Sequence, residues 1–512
     1  MLQNARSFAT SGARLQCLLA LLLATACGQG ISVSPNAEPL RIGFGIGDSA
    51  KGAGLPALTD LLYAESLLSR EMDGRQTERL VTTWRWEDGG RVLHLRLKEG
   101  VQFHDGTPLT ASLVAESLRA TVEKARNSSG VGFEHVTAVT ATTDDTVTFT
   151  LTQPDMFLLS ALSDRKIVHP QKPDIGTGPF RIVSRTPTVE VARFAEYHGG
   201  ASTLPGVRIV TYDTARSVWA ALMRGDVDAA QEVSRESVEF MQRSSNVQVY
   251  PLLQSFYVSM VFNHKHEVLR HAEVRRALSE AIDRPAILER ALRGRGLVAE
   301  GPIWPMYWAY ERPAETYGYK PERSQERLDR AGFPLPAARR QGDLRKRFAF
   351  KCLVYNEDPQ YERIALMVQR QLFDIGVDLR IELADMGTFT KRAASGEFDS
   401  FLMRTNAGRS LDVAYRFWHT SSAGRKPLQD TGYTGADSVL DELRASTTEE
   451  GTRAAVTTVV RRFYEDAPAI FIAWLEVTRA VDSKVTVNVE PGDDPFAKLW
   501  RWRATAPPVA QR

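Results

Sequence analysis

The chain has 512 residues, 43% of them hydrophobic and 25% charged. That balance excludes wholesale disorder and leaves room for about three domain-sized units. Lysine plus arginine number 64 against 62 acids with no basic run, so no footprint for nucleic acid exists, and no stretch reaches the ~20 apolar residues of a membrane span.

The N-terminus departs from this average. Arg6 and Arg14 precede the run LLALLLATA, and no acid comes before Glu38. A basic start, a short apolar core and small residues make a secretory signal. It ends in Leu23-Ala24-Thr25-Ala26-Cys27-Gly28, which resembles the lipobox of bacterial lipoproteins, with Ala24 where Leu or Val is more usual. The expectation is a signal over 1–26, a lipid on Cys27 as the only membrane attachment, and a tether over 27–38. Cys17 leaves with the signal. Cys352 then has no disulfide partner, and the core alone must hold the fold.

Further along, LRIGFGI reads as a strand and Asp60 to Leu68 as a helix. WRWEDGGRVLHLRL alternates on both sides of Asp88-Gly89-Gly90, a hairpin signal. In FHDGTPLT, Asp105-Gly106-Thr107-Pro108 is turn chemistry and Thr110 a helix cap, with Leu113, Ser117 and Leu118 on the inner face. His104-Asp105 therefore reads as a strand end and a turn, not a catalytic pair. VTFTL is another strand. In HAEVRRALSEAIDR, Val274, Ala277, Leu278, Ala281 and Ile282 form a helical stripe. Ile364, Val368 and Leu372 form another, closed by Gly376. VDLRIEL alternates strictly, so helix, Gly and strand make half of an α/β unit.

Chemical motifs mostly fail on spacing. Gly45, Gly47 and Ala50 fit a dinucleotide fingerprint, but Lys51 to Pro56 break the helix it requires. Gly47 and Gly52 have P-loop spacing, with Ala53 where Lys is needed. His264, His266 and His271 are the strongest metal suspicion. His266 and His271 stand five apart, roughly 140° off the alignment that a helical zinc pair requires, so no metal and no cofactor is expected. Cys352 lies in the strand FAFKCLVY and reads as packed. Trp304, Tyr307, Trp308 and Tyr310 in PIWPMYWAY either wall a ligand cleft or pack beneath a loop.

LHLRLKEGVQFHDGTPLTASLVAESL resembles the extracytoplasmic solute-binding proteins of the oligopeptide, dipeptide and nickel class, receptors of ATP-binding-cassette importers. Trp86, Asp88, Leu95, Arg96, Gly100, Val101, Phe103, Asp105, Gly106, Thr110 and Ala111 satisfy the family pattern. GTGPF from Gly176, VRRALSEAIDR from Val274, GYKPERSQERLDRAGF from Gly318 and GYTGADSVLDELRAS from Gly432 resemble further segments in family order.

The resemblance implies an α/β, bilobed fold of the periplasmic-binding-protein type II kind, with an extra subdomain in lobe one. Lobe one would comprise 39–60, 168–255 and 476–512, the extra subdomain 61–167, and lobe two 256–475. It implies a monomeric, non-enzymatic lipoprotein, periplasmic or at the cell surface. Such a protein passes a peptide-like or other small polar solute to membrane permease subunits. The alternatives are an exported hydrolase, metal-assisted through the His264 region, and a sensing or chaperone lipoprotein. In peptide-binding relatives the matching segment reads Gly-Trp and then an Asp that receives the peptide ammonium. Here Arg404-Thr405 replace Gly-Trp, Gly408 stands where that Asp is expected, and Asp412 matches a later acid. The candidate ligand-binding set is Arg404, Thr405, Asn406, Asn263, Trp304 and Trp308, with no catalytic residue. The ligand is expected to lack a free peptide N-terminus and to carry an acidic or acceptor-rich group beside Arg404.

Overall fold

The computed structural model describes residues 38–46, 54–127, 132–337, 345–356, 358–420, 429–490 and 492–504. The signal, Cys27, the tether up to Ala37 and the glycine motif from Gly47 to Ala53 lie outside the described residues.

One large mixed sheet runs through the molecule. Its strands are β1 (Leu40–Gly45), β2 (Phe180–Ser184), β3 (Val189–Arg193), β4 (Gly206–Tyr212), β5 (Ala229–Val233), β6 (Val247–Phe262), β7 (Phe348–Tyr355), β8 (Val377–Ala384), β9 (Ser400–Asn406) and β10 (Ala469–Asp482). Their spatial order is β2-β3-β4-β1-β5-β10-β6-β9-β7-β8, with Gly296–Val298 paired to β10 off this path.

Two long strands join the halves. Val247 to Leu253 of β6 pair with Glu476 to Asp482 of β10, beside lobe one. Tyr257 to Val261 pair with Ala469 to Trp474, beside lobe two, and Phe256 to Phe262 also pair with β9. The register shifts between Leu253 and Tyr257. Continuous backbone therefore crosses between lobes only where the ladder is irregular, which is the geometry of a hinge.

The cores follow this division. One apolar cluster fills lobe two, around Phe262, Leu278, Val368, Phe401 and Trp418. Lobe one has a cluster on each side of its sheet, around Ile42 and Ile209 and around Val218 and Ala230. The subdomain has its own, around Leu95, Phe103, Val114 and Phe149. Burying each such side chain contributes about 1.5–3 kcal/mol, which suits a chain whose one described cysteine, Cys352, is free and buried. Burial pushes that thiol up to about 12, so it is packed and unreactive.

Local expectations map closely. The hairpin joins Val81–Glu87 to Val92–Leu97. Pro359–Asp374 is helical, and Gly376 follows at φ 83°. The expected helix from Asp60 to Leu68 needs correction. It spans Gly54–Tyr63, and Glu65–Ser66 then pair as a strand with Lys166 and Ile167. Tertiary pairing overrides the local apolar pattern. The inner face of the helix Ala111–Asn127 is Val114, Leu118 and Val122, with Leu113 and Ser117 half-buried.

His104 has a structural task. Its Nε2 lies 2.9 Å from the Gly178 carbonyl, and its Nδ1 accepts from the Gly176 amide at 3.3 Å. Asp105 accepts from the Thr107 amide and pairs with Lys172 at 2.7 Å. The GTGPF turn that His104 holds presses against the chain at Tyr63. A Cβ on Gly178 would fall 2.6 Å from the Tyr63 carbonyl carbon, so the site needs glycine.

Candidate functional site: the cleft between the lobes

Strand direction places the site. In lobe one β1 runs parallel to β4 and β5, and in lobe two β7 runs parallel to β8 and β9. The carboxyl ends of these strands face the gap between the lobes, where open α/β sheets bind ligands. Helices begin there: Ala215–Arg224 capped by Thr214, Arg235–Gln242, and Pro359–Asp374 capped by Asp358. Side chains from both lobes and from β10 enclose a cavity of about 480 Å³, lined by Thr214, Glu232, Arg235, Asp358, Gln360 and Glu476 among others.

Arg235 is the least satisfied group on this wall. Its Nη2 reaches the Glu476 carbonyl at 3.4 Å, while Nε is buried without a partner among the described residues. Burial pushes its pKa down, against the pull of Asp358 and Glu232. Tyr361 stands beside it. Burial raises that phenol, Arg404 and Arg235 draw it down, and Asp358 raises it.

Arg404 lies near the end of β9, half-buried, its guanidinium 5.2 Å from the Phe256 ring centroid. Its guanidinium makes no hydrogen bond or ion pair to the described residues, while its backbone lies in the ladder opposite Val258. A cation held by an aromatic face keeps its in-plane donors free. Thr405 is buried opposite Tyr257. Asn406 is exposed, and its Oδ1 accepts from the Gly408 amide at 2.9 Å. Gly408 has φ 65°, and a Cβ there would meet Val413 at 2.9 Å. The loss of an acid at position 408 thus accompanies a turn that favours glycine. Ala407 ties this loop to the hinge through the Ser255 carbonyl, 2.8 Å away.

The other three candidates lie elsewhere. Asn263 follows the far end of β6, and its carboxamide is spent on the Gly396 and Phe398 carbonyls and the Lys265 amide. Trp304 is 2% exposed, donates to the Met72 carbonyl at 2.9 Å and packs on Trp474. The Arg75 and Arg453 guanidinium groups lie over the Trp308 ring, 4.4 and 5.1 Å from its centroid. Both tryptophans belong to the seam between lobe two and the subdomain. There a separate cavity of about 310 Å³ is lined by Trp84, Trp86, Tyr307 and Trp308.

The three histidines diverge. Burial, then Arg275, pushes His264 down to about 3. His266 accepts from the Val268 and Leu269 amides, and His271 packs on Phe333. Among the described residues no group of three or more His, Cys, Asp or Glu is placed to hold an ion.

Residues 166, 235 and 409 were not singled out by motif or spacing. Lys166 and Arg409 line a third cavity of about 440 Å³ between the subdomain, the C-terminal segment and the loop after β9. Position 409, beside the replaced acid, carried the only sequence signal of the three.

Residues 76–427 match the family described as bacterial extracellular solute-binding proteins, family 5 Middle. The oligopeptide-binding protein AppA of Bacillus subtilis is 24% identical over 415 residues, covering 75% of this chain and 76% of AppA. The probable D,D-dipeptide-binding periplasmic protein DdpA of Escherichia coli is 25% identical over 341 residues, covering 62% of this chain and 63% of DdpA, slightly under two thirds of that relative. NikA of Brucella suis, solved in complex with Fe(III)-EDTA, shares the fold with a TM-score of 0.78 at 18% identity, over 90% of this chain and 99% of NikA. The family match covers more than half of the sequence, and the chain belongs to the bacterial extracellular solute-binding proteins, family 5.

Proposed function

We propose that this protein is the lipid-anchored, substrate-capturing subunit of an ATP-binding-cassette importer. It would take a small polar solute other than a free-ended peptide. The observation that carries this reading is the pair of strands β6 and β10, which run through both lobes past a cleft made of strand ends. Closure about such a hinge surrounds a ligand without reacting with it. The relatives are named for peptides, and NikA was solved with a metal chelate. Gly408 and Arg404 argue for a different charge pattern here. No side chain at 408 can receive an ammonium group, and Arg404 offers donors with no described acceptor. Anchoring through Cys27 rests on the signal boundary in the sequence, and mass analysis of the mature N-terminus tests it.

The ligand can be recovered by native mass spectrometry of protein purified without unfolding. Arg404→Ala should weaken its binding by roughly 1.5–3 kcal/mol, the range for a hydrogen bond to a charged group. Titration calorimetry of both proteins checks this. Tight binding of unblocked tri- to pentapeptides, unchanged by Arg404→Ala, would refute the ligand assignment.

A further inference from the structure

A small hairpin of the subdomain reaches across to lobe two. Its strands Leu68–Arg70 and Gln76–Glu78 pair only with each other among the described residues. Its base is rooted in the subdomain, where Leu68 joins the apolar cluster and Arg70 donates to Asp164 and to the Ser160 carbonyl. Its tip packs elsewhere. Met72 lies against the apolar cluster of lobe two. The Met72 carbonyl accepts from the Trp304 indole and the Asp73 carbonyl from the Trp308 amide, both at 2.9 Å. Arg75 lies over the Trp308 ring and pairs with Glu449 at 2.7 Å. Gly74 is buried at φ 84°, where a Cβ would fall 2.5 Å from the Tyr307 ring and closer still to the Arg409 carbonyl oxygen. The turn holds its own shape, with the Glu71 amide on the Arg75 carbonyl at 2.9 Å and the Gly74 amide on the Glu71 carbonyl at 3.0 Å. It is a preformed plug in a close-fitting socket.

The two attachments of the subdomain differ in kind. The chain runs on into lobe one at both ends of the subdomain, and Glu65–Ser66 pair there with Lys166 and Ile167, as His169 does with Lys172. No strand ladder joins the subdomain to lobe two among the described residues. Side chains and single backbone hydrogen bonds make that seam. A hinge motion at β6 and β10 therefore parts the seam that the chain does not cross, and the hairpin tip leaves its socket. Contacts made in only one of two conformations bias the equilibrium towards that conformation.

We propose that the hairpin tip, residues 72–75, is a latch on the closed form. It seats among Trp304, Tyr307, Trp308 and Arg409 as the lobes meet, holds them together without touching the solute, and withdraws when they part. Trp304 and Trp308 thus act on capture by receiving the latch. The inference rests on the closure reading above, and the test tells the two failures apart.

Arg75→Cys with Glu449→Cys, in the mature chain carrying Cys27→Ser, places two exposed thiols at the latch, while Cys352 is buried. One portion of this protein as purified is joined with a short bismaleimide and another is capped with N-ethylmaleimide. Both are then stripped of solute by dialysis through dilute guanidinium chloride. Small-angle scattering should show the capped protein expanding on stripping and the joined protein keeping its starting radius of gyration. Hydrogen exchange at the Trp308 amide should be roughly tenfold faster or more in stripped wild type than in wild type as purified, and fast in both states of Gly74→Ala. If Gly74→Ala fails to fold, the cross-link, which leaves Gly74 in place, gives the answer. Failure of the two thiols to join, a joined protein that expands like the capped one, Trp308 exchange indifferent to stripping, or slow exchange in a folded Gly74→Ala would overturn the latch alone. A capped protein of constant radius would instead contradict closure itself, and the latch with it.

Discussion

Arg444→Met is expected to destabilise the protein by about 3–5 kcal/mol, the cost of breaking a buried ion pair from one side. Arg444 ends the helix Asp437–Ala445 in lobe two, with its side chain 5% exposed. Its Nη2 lies 2.5 Å from Asp155 and 2.6 Å from Glu134, both buried in the subdomain. The Glu134 contact is close but poorly aligned, and neither of its oxygens makes a hydrogen bond among the described residues. Asp155 also meets His135 at 3.0 Å. Phe157 and Tyr415 cover the guanidinium at 5.7 and 5.0 Å. Methionine fills much of the volume but leaves two buried carboxylates facing one histidine. Adding Glu134→Gln and Asp155→Asn to Arg444→Met should return part of the loss, because the stranded charges go too. Urea unfolding of the single and triple variants measures both effects. A loss under ~1 kcal/mol would mean that the group behaves as an exposed pair.

Glu65→Ala should cost a similar amount, about 3–5 kcal/mol. Glu65 is 1% exposed and accepts from four donors at 2.8 to 3.2 Å. Its removal leaves the His198, Tyr197, Thr177 and Arg79 groups facing a cavity. The pH dependence follows from the same network. Burial raises the Glu65 carboxyl, but hydrogen bonding from His198 and the charge of Arg79 outweigh it and hold the pKa below the ordinary value. A depressed folded pKa gives stability that is fully present above the unfolded value of about 4.3 and lost as pH falls through the folded one. Wild type should therefore lose stability below about pH 4 more steeply than Glu65→Gln, which has no proton to take up there. Parallel acid slopes in denaturant midpoints would contradict this account of Glu65.

Local chemistry was legible where the sequence pattern and the tertiary structure agree. Ile364, Val368 and Leu372 marked a helix because their spacing is the helical repeat, and the same three are buried in it. Asp105 and Thr110 marked a turn and a cap because those side chains bond within three residues, to Thr107 and Leu113. The segment after Tyr63 was misread because its strand pairing with Lys166 and Ile167 spans a hundred residues of sequence. The candidate site divides in the same way. Arg404 and Gly408 stood out against a family pattern in one short segment. Trp304 and Asn263 looked available, but their partners, Met72 and the Gly396 and Phe398 carbonyls, come from distant chain. Arg235 lines the cleft while Lys166 and Arg409 line another cavity, and no local spacing marks any of the three.

The central claim is that a solute is captured by closing two lobes about the β6 and β10 crossing. Small-angle scattering of the mature protein, stripped of ligand and then saturated with the solute that co-purifies, tests this most directly. The account predicts a smaller radius of gyration on saturation, reversed when the solute is removed. An identical scattering profile with the ligand demonstrably bound would contradict it.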